Sequence, residues 1–256
     1  MMKILSRIVS VAAMALMVPD TVSAQDENDM EAYFDADIVS HYMWRGQDKG
    51  SFSLQPTAYV SWQGLTLRAE SSMGFRREDA TDLDITLGYE NSGFNVGIID
   101  YWTSGYDPFN RYFHYSKNGA HQLEANIGYS WKYGSLQAYT IFWGNDFKVS
   151  GKQAYSTYIE LGVPFTWQGI DWNAAVGITP FESAGDVVTA TTKDTKETKT
   201  TADYYYADSF ACVMASIRAT KTLDLGFAHM PIFAEFHANP YLQTANIVFG
   251  VTVCPF

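Results

Sequence analysis

The stretch FDADIVSHYMWRGQDKGSFSLQPTAYVSWQGLTLRAESSMGF, Phe34 to Phe75, decides the fold. It holds three strand-length runs in which apolar and polar residues alternate, and the chain reverses between them at Arg45-Gly46 and again at Gln63-Gly64. In the first run Phe34, Ala36, Ile38, Tyr42 and Trp44 share one face, and Asp35, Asp37, His41 and Arg45 share the other. In the third, Leu65, Leu67, Ala69, Met73 and Phe75 oppose Thr66, Arg68, Glu70, Ser72 and Arg76. Successive side chains of a β-strand point to opposite faces, so this two-residue period reads as strand. One face is oily and the other wet and charged. That suits a sandwich that packs its oily faces together or a membrane barrel that turns them to lipid.

The connections further along favour the barrel. Strand two, about Phe52 to Trp62, closes at Gln63-Gly64, and strand three is followed by a connection through Thr81. Strand four sets Leu83, Ile85, Leu87 and Tyr89 against Asp82, Asp84, Thr86 and Glu90 and turns at Asn91-Ser92-Gly93, a strong hairpin signal. Strand five gives way to a long loop, Gly105 to Ala120, and strand six turns at Lys132-Tyr133-Gly134. Strand seven leads to a loop around Asn145 to Lys152; strand eight turns near Gln168-Gly169; strand nine leads to the longest connection, Phe181 to Tyr205. Strands ten, eleven and twelve reach about Ala219, span about Gly226 to His237, and run from about Leu242 to Phe256. Tight connections alternate with long ones, as in an up-and-down outer-membrane barrel with short periplasmic turns and long extracellular loops. The expected fold is therefore all-β, a transmembrane antiparallel up-and-down barrel of about twelve strands, with a soluble periplasmic sandwich as the fallback. Strands near ten residues suit a tilted crossing. Trp62, Trp131, Phe165 and Trp167 flank the tight turns as a lower aromatic girdle, and Tyr42, Trp44, Tyr101 and Trp102 are expected near the upper rim.

Residues 1–24 read as a cleaved secretory signal: Lys3 and Arg7 open it, Ile8 to Val18 is apolar, and Val22-Ser23-Ala24 places the cut after Ala24. Residues 25–256 form the barrel domain, in which no run approaches the ~18–20 apolar residues of a spanning helix. The formal net charge of −11 disfavours phosphate backbones, so nucleic acid is not an expected partner. Cys212 and Cys254 are the only cysteines, too few for a disulfide framework, although the two could pair with each other. Val187 to Ala202, VVTATTKDTKETKTTA, reads as a flexible solvated loop. The terminal Phe256 fits the aromatic signal read by the barrel-assembly machinery, although the outward series Ile247, Phe249, Val251 and Val253 is one residue out of phase with it.

Ser40-His41-Tyr42-Met43-Trp44-Arg45-Gly46, with Gln55-Pro56 and Tyr59-Val60-Ser61-Trp62-Gln63-Gly64-Leu65, resembles the N-terminal signature of the TorF-type porins. The resemblance covers roughly Phe34 to Phe75, and further along it lies in strand pattern. It implies an outer-membrane barrel with pore activity and no defined substrate.

In such a barrel the polar faces line the interior. Asp35, Asp37, Glu70, Asp82, Asp84, Glu90, Glu124, Glu160, Asp171 and Glu235 are expected inward against Arg45, Arg68, Arg76 and Arg218, with His41 beside them. The excess of acids predicts a water-filled path preferring cations or small polar solutes. An interior closed by Arg–carboxylate pairs is the competing expectation. His114-Tyr115-Ser116-Lys117-Asn118-Gly119 resembles the His-x-Ser-Asn-Gly stretch of outer-membrane phospholipase A, with Lys117 inserted. A hydrolase also needs a group orienting the base, and none is assignable, so no enzyme activity is expected. A closed structural or adhesive surface barrel is the third reading. The histidines show no metal-ligand spacing, and no cofactor is expected. Expected partners are outer-membrane lipid, the assembly machinery and small polar solutes.

Overall fold

Strand pairing distinguishes barrel from sandwich. The computed structural model describes residues 30–76, 79, 81–104, 112–117, 119–191, 198–226 and 229–253. The signal segment, Asn118, Cys254 and Phe256 lie outside the described residues. In chain order the strands are β1 (Glu31–Val39), β2 (Tyr42–Trp44), β3 (Gln47–Gly50), β4 (Ser53–Trp62), β5 (Leu65–Gly74), β6 (Thr81–Asn91), β7 (Phe94–Ser104) and β8 (His121–Trp131). They continue with β9 (Gly134–Gly144), β10 (Thr157–Trp167), β11 (Ile170–Thr179), β12 (Gly185–Thr191), β13 (Thr198–Tyr204), β14 (Ala211–Asp224), β15 (His229–Asn239) and β16 (Thr244–Val253). Twelve of these close into an antiparallel barrel, in which β1 completes the ring by pairing with both β4 and β16. The other four form two separate hairpins, β2–β3 and β12–β13.

The tight turns and the longest connections lie at opposite ends, and the β15–β16 connection, 240–243, is a short one at the upper end. The lower end carries turns such as Gln63-Gly64, Ser92-Gly93 and Gln168-Gly169, whose residues all have positive φ. Two successive left-handed residues make the turn that matches strand twist, and glycine at the second position takes it without steric cost. The upper end carries the longer connections 40–52, 105–120, 145–156 and 180–210.

The wall alternates as the sequence predicts. Leu67, Leu87, Ile98 and Ala125 are register partners across four adjacent strands, and all are exposed on the outer face. Leu161, Val163, Ile247 and Phe249 extend this apolar surface around the ring. Water would not tolerate so large a continuous apolar band, and lipid does, so the wall is that of a transmembrane barrel. Closure leaves no sheet edge within it. Trp62, Trp131, Phe165 and Trp167 are exposed beside the lower turns.

Two expectations are corrected. The first strand ends at Val39 rather than near Arg45. The ladder to β16 stops at Ser40, whose Oγ accepts the Phe249 N–H at 2.9 Å, and the chain then turns into the barrel. Tyr42, Trp44 and Tyr101 accordingly face the lumen and belong to no outer girdle. The Thr-rich stretch contains a paired hairpin, Gly185↔Tyr204 through Thr191↔Thr198. Threonine and valine are β-branched and suit strands, a preference that its charged, low-complexity composition masked.

Candidate functional site

The site is the lumen, and its centre is the β2–β3 hairpin. Arg45 and Gly46 form its turn, with φ of 48° and 78°. A side chain at Gly46 would start 2.1 Å from the Val213 carbonyl oxygen, so the residue must lack one. Both hydrophobic clusters of buried residues lie inside the barrel and take a hairpin side chain. Trp44 packs against the cluster formed by Tyr158, Ala175, Tyr206, Ala207, Val213 and Met214, and Met43 packs against the one formed by Val39, Phe233 and Val248.

Arg45 reaches across the lumen. Its Nη1 and Nη2 each donate to one Glu124 oxygen at 2.7 Å, a two-pronged pair in which the carboxylate is fully buried. Nη1 also donates to the Tyr206 hydroxyl at 2.7 Å and Nη2 to that of Tyr101 at 3.2 Å, while Tyr101 donates to Glu124 at 2.7 Å. The guanidinium lies 4.2 Å from the Tyr139 ring centre, 4.5 Å from Trp44 and 4.8 Å from Tyr158, within cation–π range. Charge is thereby matched at the centre of the barrel. Burial holds the Tyr206 hydroxyl well above its ordinary value, against the opposing pull of Arg45, so it stays neutral.

The wall is adapted to this contact. A β-bulge lies between β8 and β9 at the Leu123/Glu124 step, and a second lies at Gly177/Ile178, where β11 passes β14 around Val213. Bulges re-aim side chains, and these two stand beside the acid that holds Arg45 and the carbonyl that covers Gly46. Gly177 leaves room for Tyr158, whose hydroxyl would otherwise meet a side chain at 2.2 Å.

Below the hairpin are two cavities of about 450 and 690 Å³, which share Trp44, Arg68, Glu70 and Tyr101. Above it is one of about 1160 Å³, floored by Gly46, Gln47 and Asp48 and walled by Tyr204, Tyr205 and Lys148. No residue lines both the upper cavity and either lower one, so the hairpin is a partition.

The residues expected inward fall at several places. Asp35, Asp37, Arg68, Glu70, Asp84 and Arg218 line the 450 Å³ cavity, and Arg45 and Glu90 line the one beside it. Asp82 is next to the same chamber, where the Tyr42 hydroxyl hydrogen-bonds to it. Burial, then the Asp82, Asp84 and Glu70 charges, hold that hydroxyl well above its ordinary value. Arg68 pairs with Glu70 at 3.2 Å; Arg218 lies 3.7 Å from Asp37 and 3.9 Å from Glu235. Glu124 and Glu160 stand at the partition, the latter accepting from Tyr158 at 2.6 Å. Asp171 accepts from Thr166 at the lower end. His41 pairs with Asp48 at 3.2 Å within the hairpin connection, and Arg76 is exposed beyond the end of β5. The residues the sequence reading missed are Trp44, Tyr101, Tyr139, Tyr158 and Tyr206, which look like core or girdle rings until Glu124 is placed beside Arg45.

Tyr112 and Tyr115, from the connection after β7, pack on His121 at the start of β8. His121, fully buried, meets Asp100 through Nδ1 at 2.8 Å and the Tyr112 carbonyl through Nε2, and Tyr115 stacks on it at 3.8 Å. The histidine has both nitrogens committed to these acceptors. Among the described residues no hydrogen bond joins Ser116 to His114 or His121. No group of residues there could hold a metal ion.

No family model and no curated protein matches the chain. Among solved structures it is similar to OmpF of Salmonella typhi, determined in complex with daunomycin, with 10% identity over 88% of this chain and 97% of that one and a TM-score of 0.35. It is also similar to a porin refined at 1.8 Å, with 11% identity over 88% of this chain and 99% of that one and a TM-score of 0.33.

Proposed function

We propose that the chain is a porin-like channel of the Gram-negative outer membrane for small polar or cationic solutes. The observation that carries this reading is the chamber below the hairpin. Asp35, Asp37, Glu70 and Asp84 line it against Arg68 and Arg218, so carboxylates outnumber guanidiniums around a space of about 450 Å³. Fixed carboxylates lower the barrier to positive charge and raise it for anions. Arg45 does not alter that balance, because Glu124 neutralises it. In the same reading the signal is cut after Ala24, the assembly machinery inserts the barrel, both termini lie in the periplasm and the long connections face outward.

The test is the reversal potential of the purified mature chain in a planar bilayer under a salt gradient. A potential on the cation side is expected, and its magnitude should fall when Asp35, Asp37 and Glu70 are changed together to amides. Anion preference, or no conductance from either the full chain or one lacking the hairpin, would overturn the proposal.

A further inference from the structure

We infer that the β2–β3 hairpin is a gate, latched by Arg45 and Glu124, rather than a fixed part of the wall. The inference rests on the channel reading. The barrel does not need the hairpin for closure: Val39 already pairs with Ser53, so a tight turn would join β1 to β4. Among the described residues the hairpin strands pair only with each other and share no ladder with the wall. Side chains hold them instead. Arg45 grips Glu124 and Tyr206, Asn239 donates to the Gly46 carbonyl at 3.3 Å, and Gln47 donates to the Tyr205 carbonyl.

This kind of attachment is reversible. A buried ion pair gains little over its solvated partners, because attraction inside is offset by lost hydration. Swinging the hairpin out returns Arg45 to water and leaves Glu124 facing a wetted lumen, so the ion pair by itself adds little to the bias toward the closed state. Two of the holding groups, Tyr205 and Tyr206, belong to the upper connection that carries β12 and β13. The same connection fixes them: the Ala184 carbonyl accepts the Tyr205 N–H at 2.8 Å, and Ser183 Oγ accepts the Tyr206 and Ala207 N–H groups at 2.9 and 3.1 Å. Displacement of that connection from outside would therefore strip Arg45 of a hydroxyl and Trp44 of its stacked ring. The outer loop is coupled to the latch through these contacts.

The experiment compares the refolded mature chain with two variants by single-channel recording and by trypsin digestion in detergent. In the parent, openings should be rare and the Arg45–Gly46 bond resistant. Glu124→Gln strands the guanidinium without its counter-charge and should raise the open fraction about a hundredfold, the scale of a broken buried pair, while exposing the bond to cleavage. A chain with Tyr42–Gly50 replaced by a two-residue turn should conduct continuously. If Glu124→Gln keeps the parental open fraction and an intact bond, the hairpin is a fixed constriction and the inference fails. A hairpin-less chain that folds without conducting defeats the channel reading instead, and cleavage in Glu124→Gln still decides the latch. Should Glu124→Gln lose its heat-modifiable folded form, Tyr206→Phe replaces it, removing one hydroxyl from Arg45 with the charge pair intact; an open fraction and a tryptic resistance both unchanged from the parent would then overturn the latch.

Discussion

Arg45-Gly46 and Gln63-Gly64 are the same turn twice. Each is a polar residue and a glycine with both φ positive, each follows a tryptophan, and each reverses a strand pair. One lies at the lower end beside an exposed Trp62; the other lies in the lumen beside a packed Trp44. The difference shows that turn chemistry specifies a hairpin and says nothing of its destination. Destination is set by what the turn's side chain can pair with. Arg45 is a charge with the buried Glu124 carboxylate to pair with, whereas Gln63 is an uncharged residue exposed at the lower end.

Matched substitutions break this comparison. The largest effect is expected from Gly46→Val, which adds left-handed strain of ~1–2 kcal/mol to a contact at 2.1 Å with the Val213 carbonyl. The hairpin should leave the lumen, with tryptic cleavage after Arg45 and an intact heat-modifiable barrel. Gly64→Val bears similar strain and a contact at 2.5 Å with the Glu90 carbonyl oxygen, but at the lower turn, so it should lower the melting temperature of the barrel by several degrees and leave the lumen hairpin protected from trypsin. Trp44→Ala should weaken docking by ~3–4 kcal/mol, as for a packed aromatic, against ~1 kcal/mol or less for the exposed Trp62→Ala; protease protection of the hairpin separates them. Tyr206→Phe keeps the ring and removes one hydroxyl from Arg45, so a loss of ~1 kcal/mol is expected, read as a severalfold rise in open fraction. Equal sensitivity of the two tryptophans would show that the hairpin is not docked as described.

The wall was legible because each strand states its own orientation. Leu65, Leu67 and Ala69 against Thr66, Arg68 and Glu70 need no distant partner to be read, and the glycine turns divide one strand from the next. The hairpin was not legible for the opposite reason. Trp44 ends an oily face and looks like a girdle residue, and Glu124 is separated from Arg45 by 79 positions. One signal was available: Gln47 to Gly50 is too short to cross a membrane, so the reversal at Arg45-Gly46 could not have returned a barrel strand. Likewise the Val187 to Thr191 run carries β-branched residues that composition alone obscured.

The long reach of the hairpin contacts sets an order of assembly. Arg45 finds Glu124 only once β8 is in place, Tyr206 lies 161 residues away, and Asn239, which tethers Gly46, lies 193 residues away on β15. Contacts so distant in the chain form late, because the intervening loop must first close. The hairpin is therefore among the last parts of the lumen to be completed, its tether at Asn239 arriving only with the penultimate strand.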